Sequence, residues 1–416
     1  MTATTSHPGC SGEIAGFGAC DACLRRTHLL GMLGGHIERA GRAHGRLGQL
    51  LALADDDLLA ALARRGRAEL ARAVEACEPD ELRERCARAG LAVVCRHARA
   101  YPQRLLDAAD APAVLHVAGD ASVLAGLTGE DIRVPAVAVV GARRATPHGL
   151  DVAAALGRGL AAADVAVVSG MALGIDSAAH AGALQAGGPT IAVLAGGADV
   201  PYPASKRSLY RRILAHGCVV AELPPGTQPM RWGFPARNRI IAALATATVV
   251  VEAAERSGSL ITADIAADLG RAVGAVPGPV NTPRASGSNA LLHKGAAVIR
   301  DARDALDLAS VEASRTSVVP RPRRPAVVAR PPSPPHARSA SATSRTATPG
   351  KTVEPRPLDP ELELALEAID DGADSADRLA RVLGGDVARA AVVLTRLELA
   401  GILRRGLDGR YTRGVR

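Results

Sequence analysis

Aromatic and cationic side chains are concentrated in one short stretch of this chain, RWGFPARNR. It holds the single tryptophan, Trp232, and one of the two phenylalanines, Phe234. Flat rings interleaved with arginines are typical of surfaces that hold single-stranded nucleic acid, because bases stack on the rings while cations follow the phosphates. We therefore predict Arg237, Asn238 and Arg239 at a cationic edge, with Trp232 and Phe234 as candidates for base stacking. The alternative is that both rings anchor a core or a rigid loop. Positions two apart on a helix point to different sides, so one of the two arginines is expected to be structural.

Four glycine-rich segments follow apolar runs: VVGARRATPHG, VSGMALGIDSAAH, LAGGADVPYP and ERSGSLITA. Glycine permits close approach of a ligand to the backbone, and the free N–H groups of a helix N-terminus attract phosphates. Arginine adds a planar fork that matches phosphate oxygens. The residues predicted here to bind phosphate or DNA are Gly141, Arg143, Ser169, Gly170, Gly174, Ser257, Gly258 and Ser259. The alternative is that a fold of this class needs glycines at its turns, and the dinucleotide pattern GxGxxG is absent.

Residues that could catalyse a reaction are sparse. In GIDSAAH, Asp176 and His180 stand four positions apart, where they could pair on one helix face. We expect a helix-stabilising pair, because no nucleophile accompanies them at a matching spacing. Walker, HExxH and GxSxG patterns are absent from the sequence. The expectation is a protein that is not an enzyme and uses no cofactor.

The cysteines raise the question of a metal site. A CxxC pair at Cys20 and Cys23, with Cys10 and His28 nearby, could bind zinc. A second, correctly spaced pair is missing, so we expect idle thiols and no metal. The seven cysteines are an odd number, and no secretory signal is apparent, which favours reduced thiols in the cytoplasm. The sequence contains no charge-free apolar run of about 18 residues, so we expect no membrane span.

The glycine-rich segments must be positioned by a sheet. Between Val134 and Arg300, β-branched runs such as VPAVAVVG, VAVVSG, TIAVLAGG, CVVAEL, TATVVVEA and RAVGAVPG alternate with alanine-rich helical runs. Unbroken apolar strands, each followed by a helix, imply a parallel sheet covered on both faces. The fold class is therefore α/β, with a doubly wound parallel sheet of Rossmann type.

The rest of the chain divides by composition into flanking segments. We predict a leader at 1–27, a helical domain at 28–100, the α/β domain at 101–308, a linker at 309–357 and a winged-helix domain at 358–416. The linker is predicted to be disordered because it is rich in proline and arginine. The C-terminal prediction depends on three helical segments followed by the turn GLDGRYTR.

The net charge of +8 is carried mainly by that linker. Residues 309–357 hold nine Arg or Lys and two Asp or Glu, which leaves the remaining chain close to neutral. A basic chain usually indicates an anionic partner. Here the indication of nucleic acid has to come from local sites instead.

The motifs between residues 101 and 300 resemble one family, the DNA processing protein A (DprA, or Smf) family. The matching pieces are YPQRLLDAADAPAVLHVAGD, VAVVGARRAT, VVSGMALGIDSAAH, TIAVLAGGADVPYP, AELPPGTQPMRWGFPARNRIIAAL, VVVEAAERSGSLITADIAADLGRAVGAVPG and GSNALLHKGA. FPARNRII together with SGSLITA is the most specific combination. The flanking regions resemble the SAM-like and winged-helix domains of that family.

The resemblance implies an extended Rossmann fold that binds single-stranded DNA, most often as a homodimer. It implies protection of incoming strands during natural transformation and loading of the RecA recombinase, without nuclease activity. The implied DNA pocket uses the turn from Gly141 to Arg143, the neighbouring Ser/Gly loops and cations around FPARNR.

Two other functions stay open on the sequence alone. One is a LOG-like phosphoribohydrolase acting on nucleotide monophosphates, although the PGGxGTxxE loop of such enzymes is replaced by ERSGSLITA. The other is an adaptor whose winged helix binds a protein.

Overall fold

The computed structural model describes residues 16–44, 47–62, 67–127, 135–318, 359–370, 373, 375–400, 402–405 and 411–413. These residues fall into two compact units, one formed by the described residues up to 318 and the other by those from 359 onward. Within the described part of the chain, every helix is too short or too polar to cross a membrane.

A nine-stranded sheet lies at the centre of the first unit. Its strands are β1 (Ala92–Cys95), β2 (Val114–Gly119), β3 (Ala136–Val140), β4 (Ala166–Ser169), β5 (Thr190–Val193), β6 (Cys218–Ala221), β7 (Ala247–Val250), β8 (Ala272–Ala275) and β9 (Ala297–Val298). Their order across the sheet is β1-β2-β6-β5-β4-β3-β7-β8-β9. Strand β2 is antiparallel to β1 and to β6, and the other pairs are parallel. The predicted α/β fold with a mostly parallel sheet is confirmed.

Helices cover both faces of this sheet. Those of the first unit are α1 (Asp21–Met32), α2 (Gly34–His44), α3 (Leu47–Ala52), α4 (Asp55–Leu62), α5 (Arg67–Glu75), α6 (Pro79–Arg88), α7 (Ala121–Ala125), α8 (Pro147–Ala162), α9 (Ile175–Gln185), α10 (Arg207–His216), α11 (Gly233–Leu244), α12 (Gly258–Asp268), α13 (Ser286–His293) and α14 (Ala302–Val318). Two short 3-10 helices span Gln103–Asp107 and Ala204–Lys206.

The apolar runs of the strands follow from burial on both sides. In β3, Val137 and Val139 belong to the core beneath α8, α9 and α14. Ala138 and Val140 belong to the opposite core, which includes residues of α11 and α12. Alternate residues of a strand point to opposite faces, so a strand buried on both faces favours apolar residues at successive positions.

The N-terminal region differs from the prediction at both ends. Helix α1 begins at Asp21, inside the segment predicted as a leader. Strand β1 lies inside the segment 28–100, which was predicted to be helical. The β1 strand has four residues and pairs with β2 some twenty positions later, so the local pattern carried little signal.

The predicted linker also begins too early. Helix α14 continues to Val318, so residues 309–318 are helical. The sequence has no proline between Ala309 and Val318, and Pro320 is the first to interrupt the pattern. The remaining linker residues, 319–357, lie outside the described part of the chain, as does Cys10.

The second unit contains three helices and a hairpin. The elements are α15 (Pro360–Asp370), α16 (Ala376–Val382), α17 (Val387–Leu399), β10 (Leu403–Arg405) and β11 (Tyr411–Arg413). Strands β10 and β11 pair antiparallel. Leu366, Leu379 and Leu397 are buried in the core that the three helices share. Ser375 and Asp386 cap α16 and α17 by accepting hydrogen bonds from backbone N–H groups.

Candidate nucleic-acid interface

A cleft opens at the edge of the sheet where β3, β4 and β5 end. It encloses about 460 Å³, its open mouth included. The lining residues are Arg143, Gly170, Ala172, Leu173, Leu194, Ala195, Tyr202, Pro203, Phe234 and Arg237. Ligands of doubly wound sheets bind at this edge, beyond the carboxyl ends of the strands. The cleft is therefore the candidate site.

Three side chains form a stack at the cleft. The ring centroids of Phe234 and Tyr202 are 5.4 Å apart, with the planes inclined by 54°. The Arg143 guanidinium carbon lies 5.0 Å from the Phe234 centroid. Tyr202 is 44% exposed, Arg143 is exposed and Phe234 is half-buried. An exposed cation–π contact is worth about 0.5–1 kcal/mol, which orients Arg143 but is weak enough to yield to a ligand.

Arg237 is the second cation of the cleft, and it is buried. A Cβ atom added to Gly170 would lie 1.0 Å from its Nη1, so the guanidinium lies directly against the glycine backbone. Its Nη2 is 3.6 Å from Asp176 Oδ2, and its Nη1 donates to the Val193 carbonyl at 3.4 Å. Burial lowers the pKa of Arg237, Asp176 raises it and the nearby Arg143 lowers it further. Asp176 is the buried ion-pair partner of Arg237, and the exposed Arg143 adds a second positive charge to the cleft lining.

Glycines at two turns set the shape of the cleft. Gly174 has φ +81°, and a Cβ atom there would lie 2.2 Å from the Ala142 carbonyl oxygen. At Gly141 a Cβ atom would lie 2.7 Å from Ile175. Both glycines let the loop after β3 pack against the start of α9, which places Arg143 at the mouth of the cleft.

Two carboxylates of the chain itself accept backbone N–H groups in the turns next to the cleft. Asp176 Oδ2 accepts the N–H groups of Gly170 and Ala172 at 3.2 and 3.4 Å. Glu252 Oε2 accepts the N–H of Thr146, the N-cap residue of α8, at 2.9 Å. These three N–H groups are therefore already bonded within the fold, whereas the side chains of Arg143 and Arg237 line the cleft. Phosphate binding by the glycine-rich loops stays a prediction.

The expected pair between Asp176 and His180 is wrong. Asp176 turns toward Arg237, while His180 Nδ1 lies 2.7 Å from Thr190 Oγ1. Because the Thr190 hydroxyl donates to the Val167 carbonyl, His180 carries its proton on Nδ1. Burial lowers the pKa of His180 to about 3. His180 is a neutral core histidine that joins α9 to β5.

Arg239 is the structural member of the arginine pair. It is buried, with Nη2 2.6 Å from Glu222 Oε2 and Nε 3.4 Å from Asp110 Oδ2. Asn238 donates from Nδ2 to the Gly258 carbonyl at 3.2 Å, which connects α11 to the start of α12. The structure brings Arg237 to the cleft lining but not these two neighbours.

Trp232 is an anchor of the core. It is 5% exposed, and its backbone N–H donates to Glu38 of α2 at 2.9 Å. A Cβ atom on Gly34 would lie 3.7 Å from its indole nitrogen. Of the two rings predicted as stacking candidates, only Phe234 lines the cleft.

The predicted serines make hydrogen bonds within the fold. Ser169 is fully buried and donates to the Val139 carbonyl at 2.7 Å. Ser257 is the N-cap of α12, with its Oγ 2.7 Å from Ser259 Oγ. Neither Ser257, Gly258 nor Ser259 lines the cleft.

Tyr202 is a cleft residue that the sequence predictions missed as a site. Its signal was the position of VPYP beyond the glycines that follow β5, at the same sheet edge as Arg143. The described lining of the cleft contains no Asp, Glu, His, Cys or Ser, so it offers neither metal ligands nor a general base of those types.

Comparison with known proteins agrees with this architecture. Residues 92–310 match the family described as DNA recombination-mediator protein A. Protein Smf of Synechocystis is 32% identical over 323 residues, which cover 75% of this chain and 78% of that protein. The chain belongs to this family.

Two further relatives extend the comparison. A DNA processing protein DprA of Mycobacterium tuberculosis is 49% identical over 193 residues, 46% of this chain and 50% of that protein. The chain thus spans about half the length of this family member. The crystal structure of DNA processing protein A from Streptococcus pneumoniae has 32% identity and a TM-score of 0.55, covering 68% of this chain and 95% of that one.

Proposed function

We propose that this protein binds single-stranded DNA in the cleft and acts as a recombination mediator. In this proposal it protects incoming strands and loads RecA during natural transformation or recombination. It works in the cytoplasm as a homodimer, without catalysis. The C-terminal unit is proposed to be a winged helix, which its three helices followed by an antiparallel hairpin support.

The observation that carries the proposal is the stack of Arg143, Phe234 and Tyr202 beside the buried Arg237. Single strands offer both phosphates and unpaired base faces, and this cleft has partners for each. A duplex hides its base faces in the stack, so the aromatic part of the cleft favours single strands. Membership of a family of recombination mediators supports the same ligand.

The absence of catalysis is supported by the composition of the cleft. Proton transfer and nucleophilic attack usually need Asp, Glu, His, Cys, Ser, Lys or Tyr side chains. Of these types, the described lining of the cleft contains only Tyr202. Asp176 forms an ion pair with the lining residue Arg237. It is buried and accepts a backbone N–H group of Gly170. A binding site fits this arrangement better than a hydrolytic one.

Binding of labelled oligo-dT and a matched duplex, measured by fluorescence anisotropy at two salt concentrations, tests the proposal. Arg143→Ala should weaken single-strand binding at least about tenfold, or about 1.4 kcal/mol. Arg144→Ala is the matched control, because it removes the same charge from the adjacent position, which does not line the cleft. Its effect should be small.

The salt dependence shows what Arg143 contacts. Loss of one phosphate contact lowers the slope of log K against log salt by about 0.7 for a single strand. Equal losses of affinity in both variants would mean that only net charge matters. Unchanged affinity in Arg143→Ala would mean that the DNA binds outside the cleft. Absence of any binding by the wild type would end the proposal.

The mediator role needs its own assay. The wild type should speed RecA filament formation on strands coated with a single-strand-binding protein, and Arg143→Ala should lose that effect at concentrations where it no longer binds DNA. Acceleration that survives the loss of DNA binding would contradict a role through the cleft.

A further inference from the structure

Four metal-binding side chains converge at the edge of the sheet, at residues distinct from those of the cleft. They are Cys20, Cys23, Cys95 and His97, and their ligand atoms all lie within 4.8 Å of one another. His97 Nδ1 is 3.4 Å from the sulfur of Cys20 and 3.4 Å from that of Cys23. Cys23 and Cys95 are buried, whereas Cys20 and His97 are half-buried.

These separations fit a tetrahedral zinc ion. Bond lengths of about 2.3 Å to sulfur and about 2.0–2.1 Å to nitrogen place two sulfurs about 3.8 Å apart, and sulfur about 3.6 Å from nitrogen. The two distances from His97 Nδ1 to sulfur are within about 0.2 Å of the latter value. The imidazole therefore already presents its Nδ1 to the thiols at the spacing of zinc ligands.

The backbone holds the four ligands without a metal-binding loop. Cys20 precedes the first turn of α1, and Cys23 lies within that turn. Cys95 ends β1, and His97 lies in the turn that follows. The Cys95 N–H donates to the Gly18 carbonyl at 2.9 Å, which draws the start of α1 against β1.

We propose that Cys20, Cys23, Cys95 and His97 bind a structural zinc ion. Three thiolates and an imidazole are a ligand set that zinc favours, and four protein ligands leave no position for a substrate. The ion fastens the first helix of the N-terminal region to the edge strand of the nine-stranded sheet. It replaces the expectation of idle thiols, which rested on the missing second CxxC pair.

A disulfide is the competing use of these cysteines. A single disulfide uses two of the three thiols and leaves the third beside His97 without a role. Zinc uses all four groups, which is why we favour it.

Zinc content of the full-length protein tests the proposal. After gel filtration, elemental analysis should find close to one zinc per chain in the wild type. Cys95→Ser and His97→Ala should each lose most of it. Cys77→Ser is the matched control, because this half-buried cysteine is outside the cluster, and it should keep its zinc.

A second measurement on the wild type covers the case in which the variants do not fold. A mercurial thiol reagent should release the zinc, and reversal by a reductant in the presence of Co²⁺ should give the near-ultraviolet charge-transfer band of thiolate-bound cobalt. The melting temperature of the metal-free protein should rise on adding Zn²⁺ but not Mg²⁺. Wild-type protein without zinc and without a response to added Zn²⁺ would overturn the proposal. So would a mapped disulfide between two of the three cysteines, or full zinc content in His97→Ala.

Discussion

Replacement of Phe234 by alanine tests whether the cleft stacks bases. Phe234 is half-buried and contacts the Tyr202 ring and the Arg143 guanidinium, so its ring connects the two exposed members of the stack. A base stacked on one aromatic ring contributes about 1–3 kcal/mol. Loss of one such contact corresponds to a Kd about 5- to 150-fold higher.

Two further substitutions separate stacking from packing. Phe234→Leu fills much of the same volume but lacks an aromatic face, so it should weaken binding nearly as much as alanine. Phe234→Tyr keeps the face and should bind close to the wild type. Because Phe234 is only half-buried, its variants should lose less stability than Trp232→Ala, which removes a buried ring.

The assay is anisotropy of labelled oligo-dT at fixed salt, with an abasic strand of equal length as the reference. The wild type should bind the abasic strand more weakly, and Phe234→Ala should change that affinity little because no base is present to stack. An affinity for oligo-dT within twofold of the wild type would refute the reasoning. An equal loss for both strands would also refute it, because the ring would then act on the backbone or on Arg143.

Three other outcomes follow from the same contacts. Trp232→Ala should lower the free energy of unfolding by about 3–5 kcal/mol in urea titrations, because the ring is buried, while the folded fraction keeps its affinity for single strands. Gly174→Ala should cost about 1–3 kcal/mol from its φ of +81° alone and should also weaken binding, whereas Gly258→Ala, where no atom lies within 4 Å of an added Cβ, should change melting temperature and affinity little. His180 has a folded-state pKa of about 3, below its ordinary 6.5, so the unfolded chain binds the proton more readily and acid favours unfolding. Between pH 7 and pH 5 this should remove about 2 kcal/mol of stability, and His180→Gln, which keeps an N–H donor for Thr190, should flatten that part of the pH–stability curve.

The sheet could be predicted from the sequence because its signal is local. A strand buried on both faces is an unbroken apolar run, and the runs around Val139, Val168 and Val249 could be recognised without knowledge of their partners. Short edge strands carry no such signal, so β1 and β9 were missed. The linker was predicted to begin at residue 309, inside α14, because composition rather than the position of the first proline was used to place it.

The site was harder to predict because the role of each side chain depends on residues that are distant in the sequence. Local spacing showed that Arg237 and Arg239 point to different sides, but not which one faces the ligand. That is decided by Glu222 and Asp110, which hold Arg239, and by Asp176, which orients Arg237. Cys95 is likewise 72 positions from Cys23, so no window of sequence contains the whole cluster.

Asp176 and Glu252 bond backbone N–H groups that a phosphate could otherwise use. In many nucleotide-binding proteins of this architecture, the helix N-terminus grips one phosphate strongly, so a single small molecule saturates the site. Here the chain's own carboxylates accept N–H groups in the turns beside the cleft, and the cationic groups of the lining are the side chains of Arg143 and Arg237. A free nucleotide can make only one or two of these weak contacts. A long strand makes many at once, and its loss of translational entropy on binding occurs only once. We therefore expect the proposed DNA site to bind free nucleotides weakly and to gain affinity as the strand becomes longer.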